Sequence, residues 1–311
     1  MEKWQTRCLQ EAVSLKEVRV QVPLPAPNMQ TLNGKSHIMY PILLVAIALV
    51  LSIILSKTPE SIKLPWFKNK QADNNFFVTF PRSPTKVKIP ILLYHYVEVV
   101  TDERDFIRKS LSITPIEFEK QIISLKTAGY RFYNIKDLEV LLNTEYMSGK
   151  PVMITFDDGY GDFYTDAYPV LKRQNVKATV FINSGLMGKL NYMTVSQIEE
   201  ILKSGLIEIG GHGYSHQSLT EIDVETANKV ISDDVSAIKS EYGLAPVSFA
   251  YPYGYYNDAV VNMVKEAGYK YGVTLTDGYV VQSDKLFYLP RIRPGRAQGN
   301  DLGEYLNSLK I

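Results

Sequence analysis

The chain has 311 residues, of which 45% are hydrophobic, and a formal net charge of +1, which supports one sizeable domain with additional segments. The near-neutral charge argues against a dedicated nucleic-acid-binding protein, because such proteins carry a strong basic excess. The single cysteine, Cys8, excludes a disulfide framework and a thiolate metal site in the rest of the chain.

The first 88 residues divide into three segments by composition. Residues 1–37 contain the string PLPAP and show no hydrophobic period, so we predict a disordered tail. Residues 38–56 contain no charge and have the length of a spanning helix, which predicts a transmembrane anchor. No small-residue cleavage site is present, which favours a retained anchor over a removed signal peptide. Residues 57–88 are polar, basic and Pro-containing, and we predict a stalk.

Strand and helix patterns alternate from residue 89 to the C terminus. The predicted strands cover residues 89–94, 131–134, 152–156, 177–183, 206–211, 247–250, 271–275 and 289–293. The predicted helices cover residues 114–129, 136–142, 163–174, 195–203, 224–242, 259–266 and 302–309. Such alternation predicts an α/β fold in which helices cover a parallel sheet or barrel, with the chemistry at the carboxyl ends of the strands.

Two adjacent carboxylates, Asp157 and Asp158, follow the strand 152–156 directly. Paired carboxylates at a strand end repel each other unless a cation or a base lies between them. The alternative is an ordinary polar turn, because Asp-Gly is a common turn pair.

Two histidines, His212 and His216, follow another strand end and are spaced four residues apart. This spacing would place both imidazoles on one side of a helical turn, where they could bind one ion. Two imidazoles and one carboxylate form a catalytic zinc set that leaves a fourth position open for water. A pair of surface histidines is the alternative. His95 follows the first predicted strand, and a hydrogen-bonded core histidine is the alternative there.

The strings TFDDG, YPVLKRQNVKATVFI, EIGGHGYSH and FAYPYG occur in this order and resemble the polysaccharide deacetylases with a NodB-homology domain. The resemblance covers residues 89–311 and implies a distorted, incomplete (β/α) barrel. It also implies a divalent metal, most commonly Zn²⁺ with Co²⁺ or Ni²⁺ as alternatives, and hydrolysis of acetyl groups on carbohydrate polymers.

By matching position, the resemblance implies that Asp157 is the catalytic base and that the metal ligands are Asp158, His212 and His216. Tyr253 would offer its backbone N–H to the oxyanion. His95 precedes the acidic motif, as in the branch with a permuted motif order that resembles poly-N-acetylglucosamine deacetylases, and would be the catalytic acid.

Two positions depart from the family pattern. Many members carry Arg at the position of Ala250, where it pairs with the base, and here Arg291 is the candidate replacement. Gly213 stands where many members have Thr between the two histidines.

The resemblance predicts an enzyme that removes N-acetyl groups from an N-acetylglucosamine-containing polymer of the cell wall or an exopolysaccharide. The alternatives are an O-acetyl esterase on the same scaffold and a membrane-tethered carbohydrate-binding protein with a vestigial site. Counted literally, the lysines after residues 38–56 would place the domain on the cytoplasmic side of the membrane. We nevertheless expect a single-pass protein of the cell membrane whose domain is extracytoplasmic, because its expected substrate lies outside.

Overall fold

The computed structural model describes residues 85–309, except residues 103, 145–148 and 296–300. The predicted tail, the predicted transmembrane segment and most of the predicted stalk lie outside the described residues. Within the part that is described, every helix is too short or too polar to cross a bilayer. The last residues of the predicted stalk, Lys86–Lys88, form a strand, so the folded unit begins before residue 89.

The described residues form eleven strands and eight α-helices. The strands are β1 (Lys86–Lys88), β2 (Ile91–Tyr94), β3 (Tyr96–Val97), β4 (Ser112–Ile113), β5 (Tyr130–Tyr133), β6 (Lys150–Phe156), β7 (Ala178–Ile182), β8 (Ile207–Gly211), β9 (Ser248–Ala250), β10 (Tyr271–Val273) and β11 (Val280–Gln282). The helices are α1 (Phe106–Leu111), α2 (Pro115–Thr127), α3 (Leu138–Asn143), α4 (Tyr168–Gln174), α5 (Val195–Lys203), α6 (Val224–Tyr242), α7 (Asp258–Glu266) and α8 (Leu302–Ser308).

The helices begin and end where local sequence signals place them. In α2, the Thr114 side chain accepts a hydrogen bond from the Glu117 amide, and Pro115 occupies the first turn, where its missing N–H costs nothing. Helix α6 ends at Gly243, whose φ of +66° suits a residue without a Cβ. The predicted helix 163–174 is divided into a π-helical turn, Phe163–Ala167, followed by α4.

A parallel sheet of seven strands forms the centre of the domain, in the order β10-β9-β8-β7-β6-β2, with β5 also paired to β6. Strand β6 is long enough to pair with β5 through its first residues and with β7 through its last two. Every residue of β2, β7 and β8 is buried, as expected for parallel strands covered on both faces. The predicted α/β class is therefore confirmed, and the curled sheet is the predicted type of barrel.

One irregular segment spans the gap between the two edge strands of this sheet. Residues 289–293, predicted as a regular strand, form only isolated bridges, and in this respect the prediction is wrong. Leu289 donates to Gly272 of β10 and accepts from Thr274 directly after it, both at 2.9 Å, and Ile292 exchanges two backbone hydrogen bonds of 2.8 and 2.9 Å with β2. Pro290 has no amide hydrogen, so a continuous ladder cannot form through it. We call residues 289–292 the closing segment, because they contact both edges.

Candidate metal centre and active site

The polar residues singled out in the sequence gather at the carboxyl ends of the parallel strands. Because the strands run in one direction, residues that follow them meet at the same end of the barrel. These residues are His95 after β2, Asp157 and Asp158 after β6, His212 and His216 after β8, Tyr253 after β9, and Arg291 in the closing segment.

Asp158, His212 and His216 converge on one point. Asp158 Oδ1 lies 3.3 Å from His212 Nε2 and 3.2 Å from His216 Nε2, and the three candidate ligand atoms lie within 4.8 Å of one another. Oδ1 is buried and, despite these distances, has no partner with hydrogen-bond geometry. The three atoms therefore surround a common space instead of bonding to each other, which fits a bound cation.

The two histidines converge through a loop and not through a helical turn, so the predicted helical arrangement is wrong. Residues 212–216 have no helical structure, and His216 has a φ of +51°. Asp158 also lies in the left-handed region, with a φ of +77°. Residues other than glycine seldom adopt this conformation, and its cost of about 1–3 kcal/mol is typically retained at functional sites.

The orientation of His212 favours the role of a metal ligand. Its Nδ1 lies 2.7 Å from the backbone oxygen of Ala250, which can only accept, so Nδ1 carries the proton. Nε2 is then left with a free lone pair that faces Asp158. This carbonyl–histidine arrangement is the usual outer support of a zinc ligand. A carboxylate oxygen without a hydrogen bond and two imidazole nitrogens together fit a divalent cation such as zinc.

The second carboxylate, Asp157, forms a buried ion pair with Arg291. The guanidinium donates two hydrogen bonds to the two carboxylate oxygens, at 2.7 and 2.8 Å, and Arg291 is only 2% exposed. Arg291 also donates to the carbonyl of Thr274 at 2.9 Å and to the hydroxyl of Thr155 at 3.2 Å. Burial raises the pKa of Asp157, but Arg291 outweighs it, so that the pKa lies below its ordinary value. The carboxylate thus remains ionised beside the candidate metal ligands.

His95 lies beside the same carboxylates and lines a cavity of about 160 Å³ together with Arg293 and residues of β4. Burial lowers the pKa of His95, while the charges of Asp157 and Asp158 raise it, and the net pKa lies below its ordinary value. A larger cavity, of about 830 Å³, is lined by residues 276–290 and Tyr256 and contains none of the predicted site residues.

Tyr253 lies beside His216 in a strained turn. Its φ is +59°, its ring centroid lies 4.5 Å from that of His216, and its side chain is 52% exposed. The ring is therefore accessible at the mouth of the site. The left-handed backbone of Tyr253 is the third such position at the site, after Asp158 and His216.

Sequence reasoning missed several groups that support the site. Three tyrosines form a stack beside Asp158: Tyr96 in β3, Tyr160 after β6 and Tyr192 before α5. The ring centroids of Tyr96 and Tyr160 lie 4.1 Å apart, and those of Tyr160 and Tyr192 lie 5.2 Å apart. The carbonyl of Ala250 that orients His212 carries no signal in the sequence. Nor does the side chain of Asn183, which donates to the carbonyl of His212 at 2.6 Å.

The fold and the site define a (β/α)-barrel protein with a paired carboxylate, a buried arginine and an Asp-His-His set that could hold a metal ion. Sequence comparison is in agreement. The family described as polysaccharide deacetylase matches residues 144–272. YxkH of Bacillus subtilis, whose name assigns it to the same family, is 30% identical over 257 residues, which cover 82% of this chain and 87% of YxkH. The chain therefore belongs to the polysaccharide deacetylase family, and the predicted class of enzyme is confirmed.

A further relative carries a more specific name, and two solved structures share the fold. A poly-beta-1,6-N-acetyl-D-glucosamine N-deacetylase of Staphylococcus aureus is 28% identical over 236 residues, which cover 68% of this chain and 81% of the relative. Among solved structures, the deacetylase PplD of Streptococcus pyogenes, in complex with acetate, has a TM-score of 0.66 and 30% identity, covering 71% of this chain and 99% of PplD. IcaB from Ammonifex degensii, with a TM-score of 0.62 and 24% identity, shares the fold.

Proposed function

We propose that this protein is a metal-dependent deacetylase that removes N-acetyl groups from a polymer containing N-acetylglucosamine. The observation that carries the proposal is the convergence of Asp158, His212 and His216 around an unbonded carboxylate oxygen, with an ionised Asp157 beside it. The substrate class is supported by the staphylococcal relative, whose name specifies poly-N-acetylglucosamine.

The donor set favours Zn²⁺, with Co²⁺ and Ni²⁺ as alternatives, held by Asp158, His212 and His216. When bound, such an ion polarises the acetyl carbonyl and lowers the pKa of a water molecule towards ~7. Asp157 accepts the proton of the attacking water, and Arg291 keeps this carboxylate ionised before the reaction. The backbone N–H of Tyr253 donates a hydrogen bond to the developing oxyanion, which is typically worth about 3–4 kcal/mol in such sites.

His95 donates a proton to the departing sugar nitrogen, which would otherwise be a poor leaving group. Burial lowers the pKa of His95, and the charges of Asp157 and Asp158 offset part of this shift in favour of the protonated imidazole. The cavity of about 160 Å³ beside His95 gives the leaving group room to approach the imidazole ring.

The test measures acetate release from an acetylated N-acetylglucosamine oligomer, with metal added, for the wild type, Asp157→Asn and His212→Ala. We expect a loss of about 10²–10⁴ for the base variant, and loss of metal-dependent turnover for the ligand variant. Wild-type rates in both variants would refute the proposed mechanism.

We also propose that residues 38–56 anchor the protein in the cell membrane with the catalytic domain outside, where wall and capsular glycans lie. A reporter enzyme fused after Ile311 tests this topology. A reporter that is active only in the cytoplasm would contradict it.

A further inference from the structure

The first three residues of the loop that carries the histidines, residues 212–214, have a complete set of backbone hydrogen bonds, although the loop has no regular secondary structure. The amides of His212, Gly213 and Tyr214 donate, and their carbonyls accept, so that all six groups have partners. Two of the partners are side chains, which belong to Asn183 and Asp234. An irregular loop held in this way can keep a fixed shape, because each buried backbone group is satisfied in one arrangement only.

Helix α6 supplies two of these partners from one of its faces. The carbonyl of Val230 accepts from the Tyr214 amide at 3.1 Å, and Asp234 Oδ2 accepts from the Gly213 amide at 3.2 Å. Residues four apart on a helix lie on the same side, so the two acceptors meet two consecutive amides of the loop. Asp234 is completely buried.

The position of Asp234 requires a carboxylate. Oδ1 accepts from the Ser184 amide at 3.3 Å and from the Ser184 hydroxyl at 2.6 Å, while Oδ2 accepts from the Gly213 amide and from the Tyr269 hydroxyl at 3.0 Å. Each oxygen therefore faces a backbone N–H, which can only donate. An asparagine would turn its own NH₂ group towards one of the two amides and leave that amide without an acceptor.

The neighbouring strand leaves room for this contact. A Cβ atom on Gly211 would lie 2.3 Å from Asp234 Oδ2 and 2.0 Å from the Tyr269 hydroxyl oxygen. Glycine at the end of β8 thus lets the helix carboxylate reach the loop directly after it.

We infer that Asp234 is a positioning residue of the metal centre: by holding the Gly213 amide, it fixes the direction in which His212 and His216 face Asp158. This inference rests on the proposed metal binding, but it does not depend on the identity of the glycan. The aspartate touches none of the three candidate ligands and acts on them through the loop backbone.

The test compares Asp234→Asn with Asp233→Asn, a matched control one position earlier on α6. Asp233 is partly exposed and pairs with Lys229 at 2.8 Å. The dissociation constant for Zn²⁺ is measured by competition with a chromogenic chelator, and the visible spectrum of the Co²⁺-loaded protein reports ligand geometry. Loss of a group that hydrogen-bonds directly to a metal ligand typically weakens metal binding about 10–100-fold, and we take the lower end, about 10-fold, because Asp234 acts through the Gly213 backbone. We expect this loss and an altered Co²⁺ spectrum for Asp234→Asn, with neither change for Asp233→Asn.

Wild-type Zn²⁺ affinity and an unchanged Co²⁺ spectrum in Asp234→Asn would overturn the inference, as would an equal weakening in the two variants. If Asp234→Asn does not fold, Asp234→Glu takes its place, because it keeps the charge but moves the carboxylate away from its position at the Gly213 amide. Weaker Zn²⁺ binding in Asp234→Glu then supports the inference, and wild-type binding overturns it. A wild-type protein that binds no metal would instead refute the proposed function itself.

Discussion

Replacement of Arg291 by methionine should destabilise the protein strongly, because it leaves the charge of Asp157 buried without a partner. The pair is almost completely buried, with side-chain exposures of 0% and 4%. Removal of one partner from a buried ion pair typically costs about 3–5 kcal/mol. Arg291 also donates to Thr274 and Thr155, so we expect the upper part of that range for the free energy of unfolding at pH 7.

The pH dependence of this loss gives a sharper test. In the wild type the pKa of Asp157 is held below its ordinary value, so the pair stabilises the fold above that value and stops doing so as the pH falls through the folded pKa. In Arg291→Met the largest influence that lowers the pKa of Asp157 is lost, and only the smaller ones of His212 and His95 still oppose burial, so the pKa of Asp157 rises. The carboxyl then becomes neutral in mild acid, and the difference in stability from the wild type should shrink as the pH is lowered.

Urea denaturation at several pH values measures these free energies. Arg293→Met is the matched control: Arg293 is an exposed arginine two residues later, and its replacement should change stability by no more than about 0.5 kcal/mol. The double variant Asp157→Asn, Arg291→Met should recover part of the lost stability without recovering activity. A loss below about 1 kcal/mol in Arg291→Met, or an equal loss in the double variant, would refute the argument about an uncompensated charge.

Three further outcomes are expected. Burial raises the pKa of Asp234 to about 6 from 3.8, so the folded state binds more protons than the unfolded state between these pH values. The wild type should therefore lose up to about 3 kcal/mol of stability as the pH rises through this range. Urea denaturation of Asp234→Asn should show no such pH dependence. His95→Ala should slow release of acetate from an N-acetyl substrate by about 10²–10⁴, yet affect an O-acetyl ester much less; equal losses in the two rate assays would show that His95 does not protonate the leaving group. Zn²⁺ at 100 times its dissociation constant should stabilise the metal-free protein by about 2.7 kcal/mol in calorimetry, and the same titration of His216→Ala should give no such shift.

The sequence predicted those parts of the fold that have local signals. The observed bounds of α5 and α6 are the predicted ones, because each helix combines an apolar stripe with a strong N-cap at Thr194 or Asp223. The gathering of the acidic and histidine motifs also followed from the sequence, since parallel strands bring their carboxyl ends to one edge. The family resemblance then narrowed the chemistry to deacetylation.

The sequence did not predict features that depend on contacts between distant residues. Strand β1 pairs with β11, almost 200 positions later, and the local sequence of neither strand indicates which strand it pairs with. The four-residue spacing of His212 and His216 predicts a helical turn, because residues four apart lie on one side of a helix. In the structure the two imidazoles converge through an irregular loop in which His216 has a left-handed backbone. Asp234 gave no signal, because a helix with two adjacent aspartates is typical of a solvated surface.

The source of the arginine links the architecture of the barrel to the charge state of Asp157, the proposed catalytic base. Many family members supply it from the position of Ala250, the last residue of β9, but here Arg291 comes from the closing segment, which hydrogen-bonds to both edge strands of the sheet. The low pKa of Asp157 therefore depends on the same backbone contacts that close the barrel. A substitution that weakens the backbone contacts of Leu289 or Ile292 should displace Arg291 and so raise the pKa of Asp157, although neither residue is a candidate metal ligand.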